Sequence, residues 1–149
     1  MELSLFKTYL EKHGLRFTPE RRMILEEVYA YTGHFDPDEI CDRLRARGNK
    51  ASKASVYRTF PLLLDAGLIA EVLRSGNRIR YERTVGRSHH DHMICDECGA
   101  IIEFTSPEIE QLQDAICARH NFKSRSHMLE IRGTCTQCRG RSDTSPETD

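Results

Sequence analysis

The sequence predicts an α+β fold in two parts. Three observations carry this. Apolar residues recur at helical spacing through residues 1–66. Two β-forming runs follow directly, around Ser75-Gly76-Asn77. The second half then mixes short β-forming runs, one helical segment and a pair of C-x-x-C motifs.

Each element has a local reason. Leu3, Phe6 and Leu10 form a helical stripe, which His13-Gly14 closes. Thr18-Pro19 supplies an N-cap and a proline at the first helical position, and Ile24, Leu25 and Val28 form the buried stripe behind it. Asp36 and Glu39 have capping-box spacing. That third helix turns Ile40 and Leu44 inward and stops at Gly48. Ser52 caps a fourth helix running towards Asp65, ended by Gly67. Pro61 lies inside it, removes one backbone donor and predicts a kink near Tyr57–Phe60. LIAEVLRSGNRIRYE then reads as a β-hairpin. Helices followed by a hairpin are the layout of a winged helix-turn-helix.

Residues 84–88 (TVGRS) are poor in apolar side chains and read as a hinge after a first domain of residues 1–83. Beyond it, strands are expected at His89–Cys95 and Ala100–Phe104. A helix from Pro107 to His120 follows, capped by Ser106, with Ile109, Leu112 and Ile116 on its inner face. A last strand at Ser126–Arg132 completes a second domain of residues 89–139. Residues 140–149 are polar and read as a disordered tail.

Composition narrows the function classes. Of 149 residues, 38% are hydrophobic and 30% charged, which suits a soluble globular chain. No apolar run approaches the roughly 20 residues of a membrane span. The N-terminus lacks the zones of a signal peptide, so the expected location is cytoplasmic. Residues 1–85 carry 15 Lys/Arg against 12 Asp/Glu, and residues 86–149 carry 7 against 11. A basic front and an acidic back fit a nucleic-acid-binding head on a different body.

In the fourth helix, Lys53, Ser55, Tyr57, Arg58 and Thr59 are read as an exposed N-terminal face, with Leu62–Leu64 buried behind it. A recognition helix needs that division. Arg58 suits guanine or phosphate, and the Tyr57 ring suits a thymine methyl. Arg74, Arg78 and Arg80 of the hairpin suit phosphates. The same charges would also suit a solvated helix face.

Cys95-x-x-Cys98 and Cys135-x-x-Cys138 pair into one tetrahedral Cys₄ zinc site of structural type. A reversible dithiol is the redox alternative. Between the hinge and the first knuckle runs His89-His90-Asp91-His92. On a strand, alternate residues share a face, so His90 and His92 point one way and His89 and Asp91 the other. Glu103 is placed to complete one half-site, and Glu110 with His127 the other. Cys41 and Cys117 follow core isoleucines and read as packed; His13 and His120 read as helix C-terminal caps.

Taken together, ASVYRTF, HHDHMICDECGAIIEF and SHMLEIRGTCTQC resemble the ferric uptake regulator family of bacterial metalloregulators, over nearly the whole chain to about Arg139. The resemblance implies a homodimer of winged-helix heads on α/β dimerisation domains, in some cases a tetramer, binding an A/T-rich palindromic operator. It implies three metal sites. Structural zinc maps to Cys95, Cys98, Cys135 and Cys138. A regulatory site bridging the domains maps to His34, Glu82, His90, His92 and Glu103. An additional site maps to His89, Asp91, Glu110 and His127. A basic residue for the minor groove matches Arg16, while Pro61 stands where the family more often has a polar residue.

The nitrogen and oxygen donors of the regulatory set suit Fe²⁺, with Mn²⁺ or Zn²⁺ also able to bind. The expected function is therefore an Fe(II)-activated repressor of iron-uptake genes. A manganese, zinc or peroxide sensor is the alternative within the family. A zinc-dependent enzyme is the alternative from another class, but there is no H-E-x-x-H, nucleophile elbow or Gly-rich phosphate loop. A pure metal buffer would have no use for the Tyr57-Arg58 helix.

Overall fold

A computed structural model of the chain describes residues 1–75 and 78–142. It divides into two compact units, Met1–Arg87 and Ser88–Asp149. The first contains α1 (Glu2–Lys12), α2 (Pro19–Ala30), α3 (Pro37–Ala46), α4 (Lys53–Asp65), β1 (Ile69–Ser75) and β2 (Arg78–Arg83). The second contains β3 (Asp91–Cys95), β4 (Ile101–Phe104), α5 (Pro107–Arg119), β5 (Glu130–Gly133) and α6 (Thr136–Ser142).

Local capping sets the helix starts in the first unit. Thr18 accepts from the Arg21 amide, and Ser52 from the Ser55 amide at 3.1 Å. Asp36 and Glu39 exchange both bonds of a capping box. Gly67 takes a positive φ of 68°, which lets the chain leave α4 and enter β1. The core is continuous: Phe6 and Leu10 from α1, Ile24 and Val28 from α2, Ile40 and Leu44 from α3, Val56, Phe60 and Leu63 from α4. Glu27 is buried in α2 and held by Arg43 of α3 and by Arg47, which fixes the α2–α3 pairing.

β1 and β2 pair antiparallel as the predicted wing. Gly76 and Asn77 of its expected turn lie outside the described residues. Phe35 and Tyr81 exchange backbone hydrogen bonds of 2.9 and 2.7 Å, so the segment before α3 joins the wing. Phe60 then packs edge-on against Tyr81 and Phe35, with ring centroids 5.2 and 6.0 Å away. This stacking ties α4 to the wing. Phe60→Ala is expected to cost about 3–5 kcal/mol of stability, read as a lower urea midpoint.

α4 has the expected extent, Lys53 to Asp65, with Pro61 inside it. Several other expectations are corrected. Ser55 and Thr59 are buried, not exposed. They lie on the inward side of α4, where Ser55 donates to Glu20 and Thr59 to the Ser55 carbonyl. Thr84 and Val85 belong with the first unit: the Thr84 amide donates to the Leu68 carbonyl at 3.1 Å, and Val85 packs on the core.

In the second unit β3 is central, with β4 antiparallel on one side and β5 parallel on the other. β3 begins at Asp91, two residues later than expected, and β5 at Glu130, four residues later. Ile109, Leu112 and Ile116 do not face a core. Among the described residues none of α5 is buried, and Leu112 is 59% exposed. The polar run from residue 140 is helical to Ser142 in α6; the rest of the expected tail, 143–149, lies outside the described residues. Among the described residues no helix is long and apolar enough to cross a membrane.

Candidate metal centres and nucleic-acid interface

The Cys₄ cluster forms at one end of the sheet. Cys95 closes β3, Cys98 lies in the turn before β4, and Cys138 sits in α6. The Gly99 amide bonds back to the Cys95 carbonyl and the Arg139 amide to the Cys135 carbonyl, both at 2.9 Å, so each knuckle is a tight turn. The four sulfurs lie within 4.8 Å of one another, and Cys98 and Cys135 are 3.8 Å apart. Tetrahedral zinc thiolate geometry, with Zn–S of about 2.3 Å, places sulfurs about 3.8 Å apart. The residues fit the ion.

The electrostatics agree. The Cys95 thiol is lowered to about 6, because backbone N–H groups of Cys135, Cys98 and Glu97 point at its sulfur. Cys138 is pushed up, first by its hydrogen bond with Cys135, then by burial and by its bonds with Cys98 and Cys95. Crowding thus permits one thiolate and opposes the next. A divalent cation removes that opposition.

A second cluster lies wholly within the second unit. His89 Nε2 and His127 Nε2 are 2.7 Å apart. Asp91 Oδ1 stands 3.4 Å from the first and 3.6 Å from the second. Glu110 Oε1 stands 3.5 and 3.2 Å from them. Asp91 Oδ1 is buried and accepts no hydrogen bond among the described residues. Nitrogen and oxygen ligands at about 2.1 Å from one ion would be separated by about 3.0–3.4 Å. The donor set therefore fits a divalent metal. A cavity of about 700 Å³ borders the cluster, lined by His89, Glu110, Arg125 and His127.

The opposite face of β3 carries the other histidines. His90 and His92 meet ring to ring at 4.8 Å, although His90 precedes the strand. His92 is the register partner of Glu103, and His90 Nε2 lies 3.9 Å from Glu103 Oε1. In the first unit, His34 Nε2 and Glu82 Oε2 are 3.5 Å apart, and the Arg87 guanidinium stands 3.1 Å from that same oxygen. No motif in the sequence points to Arg87.

On α4, Lys53, Tyr57 and Arg58 are exposed, whereas Ser55 and Thr59 are not. Arg16 and Arg58 line one cavity of about 380 Å³ with Arg21. The wing arginines are engaged by carboxylates: Arg74 by Glu71, Arg78 by Asp36, and Arg80 by Asp36 and Glu39.

The sequence model of the ferric uptake regulator family matches residues 12–132. The chain belongs to that family. The ferric uptake regulation protein of Campylobacter upsaliensis is 34% identical over 138 residues, covering 91% of this chain and 88% of that protein. The homologue from Rhizobium leguminosarum bv. viciae is 42% identical over 122 residues, covering 82% and 85%. Among solved structures, the Helicobacter pylori ferric uptake regulator, described as having three functional metal binding sites, superimposes with a TM-score of 0.78 at 31% identity. It covers 99% of this chain and 94% of its own. As a ferric uptake regulator family member, this chain is a metal-responsive transcriptional regulator and not an enzyme.

Proposed function

We propose that the chain is an Fe²⁺-activated repressor that acts in the cytoplasm as a homodimer on an A/T-rich palindromic operator. The observation that carries the metal choice is the chemistry of the donors. His34, Glu82, His90, His92 and Glu103 offer nitrogen and oxygen only, while every clustered sulfur is committed to the Cys₄ site. Such a set favours Fe²⁺ or Mn²⁺ over a thiophilic ion.

These five residues would hold the regulatory metal, and Cys95, Cys98, Cys135 and Cys138 the structural zinc. His89, Asp91, Glu110 and His127 would hold a further ion. The regulatory ion supplies one positive centre that donors from both units satisfy together. His34 and Glu82 belong to the unit carrying α4, and His90, His92 and Glu103 to the unit carrying α5. Engaging all five fixes the angle between units. In a dimer that angle sets the spacing of two recognition helices, which must match the half-site spacing of DNA. The exposed Leu112, Ile116 and Phe122 are apolar surface suited to burial against a second copy. Arg16, Lys53, Tyr57 and Arg58 supply the exposed groups for DNA; Ser55 and Thr59 support α4 from within.

The test is a gel shift on an A/T-rich inverted-repeat duplex, with Fe²⁺, Mn²⁺ or Zn²⁺ and with none. Binding only in the presence of metal, with Fe²⁺ or Mn²⁺ the most effective, is expected. Equal binding without metal would overturn the reading. Arg58→Ala should leave metal content unchanged and remove about 1–3 kcal/mol of discrimination at one base position. If only a phosphate contact is lost, all sequences weaken alike and the salt slope falls by about one.

A further inference from the structure

The side chain of Asp38 belongs to no metal cluster and to no face expected to read DNA, yet it meets two residues that do face DNA in the reading above. Lys53 and Tyr57 are four residues apart, so they share one face of α4. Asp38 lies in the first turn of α3. Its Oδ1 accepts from the Tyr57 hydroxyl at 3.0 Å and pairs with the Lys53 ammonium at 2.9 Å. The ammonium also sits 5.5 Å from the centroid of the Tyr57 ring. One carboxylate oxygen thus holds both side chains.

We propose that Asp38 is a specificity-determining positioning residue: it fixes the ring of Tyr57 for base reading and restrains the charge of Lys53 from indiscriminate phosphate binding. The proposal rests on the reading that α4 faces DNA.

Two physical effects follow. A phenol tethered through its hydroxyl presents its ring edge in one orientation, so less rotamer freedom is lost when it meets a base. A free lysine adds sequence-independent affinity by releasing counterions, whereas a lysine paired with a carboxylate adds less. Hydrogen bonds from Lys53 and then Tyr57 hold the Asp38 carboxyl below its ordinary range, so it stays ionised and its charge offsets that of Lys53. All three side chains are substantially exposed, and an exposed pair of this kind contributes little to stability. Its consequence lies in orientation and charge, and variants at Asp38 should fold.

The experiment uses the full chain with saturating Mn²⁺. Fluorescence anisotropy compares an A/T-rich inverted-repeat duplex with a scrambled duplex of the same composition, across a salt series. Asp38→Ala is expected to bind scrambled DNA more tightly, with a salt slope steeper by about one. Its preference for the inverted repeat should fall about tenfold. Asp38→Asn removes the same charge but keeps an oxygen for Tyr57. It should gain the same scrambled-DNA affinity while retaining most of the preference. Tyr57→Ala separates the two readings. If it lowers the preference while Asp38→Ala changes neither preference nor slope, the positioning role is overturned and the DNA-facing reading of α4 stands. If Tyr57→Ala leaves the preference intact, the DNA-facing reading fails and the role of Asp38 fails with it. If Asp38→Asn loses preference as fully as Asp38→Ala, positioning through Tyr57 is overturned.

Discussion

Replacing Cys95 or Cys138 by serine is expected to remove the tightly bound zinc and unfold much of the second unit. The reason is how little else holds that unit together within one chain. Its buried apolar side chains, among the described residues, are Ile94, Cys95 and Cys138, and two of those belong to the proposed zinc site. In the chain α5 lies between β4 and β5 of the three-stranded sheet, but none of its described residues is buried. The Cys₄ cluster therefore closes one end of the sheet: Cys95 ends β3, Cys98 precedes β4, and Cys135 and Cys138 follow β5. Structural zinc contributes on the order of 10 kcal/mol in small domains that fold around it. A serine hydroxyl at one position keeps the size but not the thiolate. Elemental analysis should show loss of about one zinc per chain, and thermal unfolding should show a lost or strongly lowered transition. The dimer should weaken with it. Cys117→Ser is the control, because Cys117 lies outside the cluster and should change neither reading. A Cys138→Ser chain that keeps its zinc and its melting temperature would refute the structural role. Acid should mimic the substitution, since protons compete with the metal for the thiolates as pH falls.

What could be read from the sequence was whatever depends on near neighbours. The Thr18-Pro19 cap, the Asp36–Glu39 box and the Ser52 cap are local signals, and the helices start where these residues place them. The division of His89 and Asp91 from His90 and His92 follows from the pleat alone, and the side chains separate in that way even though the strand begins only at Asp91. What escaped depends on packing between distant segments. Ser55 looks like an exposed helix residue until Glu20, 35 residues away, is seen to accept its hydroxyl. The apolar stripe of α5 has the spacing of a core face, but spacing cannot say whether its cover comes from the same chain. The helix at Thr136–Ser142 has no apolar periodicity, and the thiol cluster at Cys135 and Cys138 anchors it instead. β5 starts late because the preceding segment brings His127 to His89. The bond from Tyr57 to Asp38 joins two helices whose packing no local pattern announces.

The sharpest separation among the metal centres is expected between Glu82 and Asp91. Glu82→Ala, and likewise His90→Ala, should bring the ratio of DNA affinities with and without metal to about one, while zinc and dimer persist. Glu82 stands on β2 in the first unit, and His90 just before β3 in the second. In the proposed five-donor set, losing either would weaken one half, and binding the ion would no longer favour one angle between units. A ligand with equal affinity for two states shifts neither, however tightly it binds. Asp91 is different. Its partners are His89, His127 and Glu110, all in the second unit, so its substitution leaves the donors on either side of the hinge intact. Asp91→Ala should therefore keep the metal response of DNA binding. Its effect should appear instead as a lower melting temperature and one fewer metal ion bound per chain. The measurement is DNA affinity against Mn²⁺ concentration at fixed salt for both variants beside the wild type. If Glu82→Ala responds like the wild type and Asp91→Ala does not respond, the sensing metal belongs to the His89 face of β3 and the regulatory assignment is reversed.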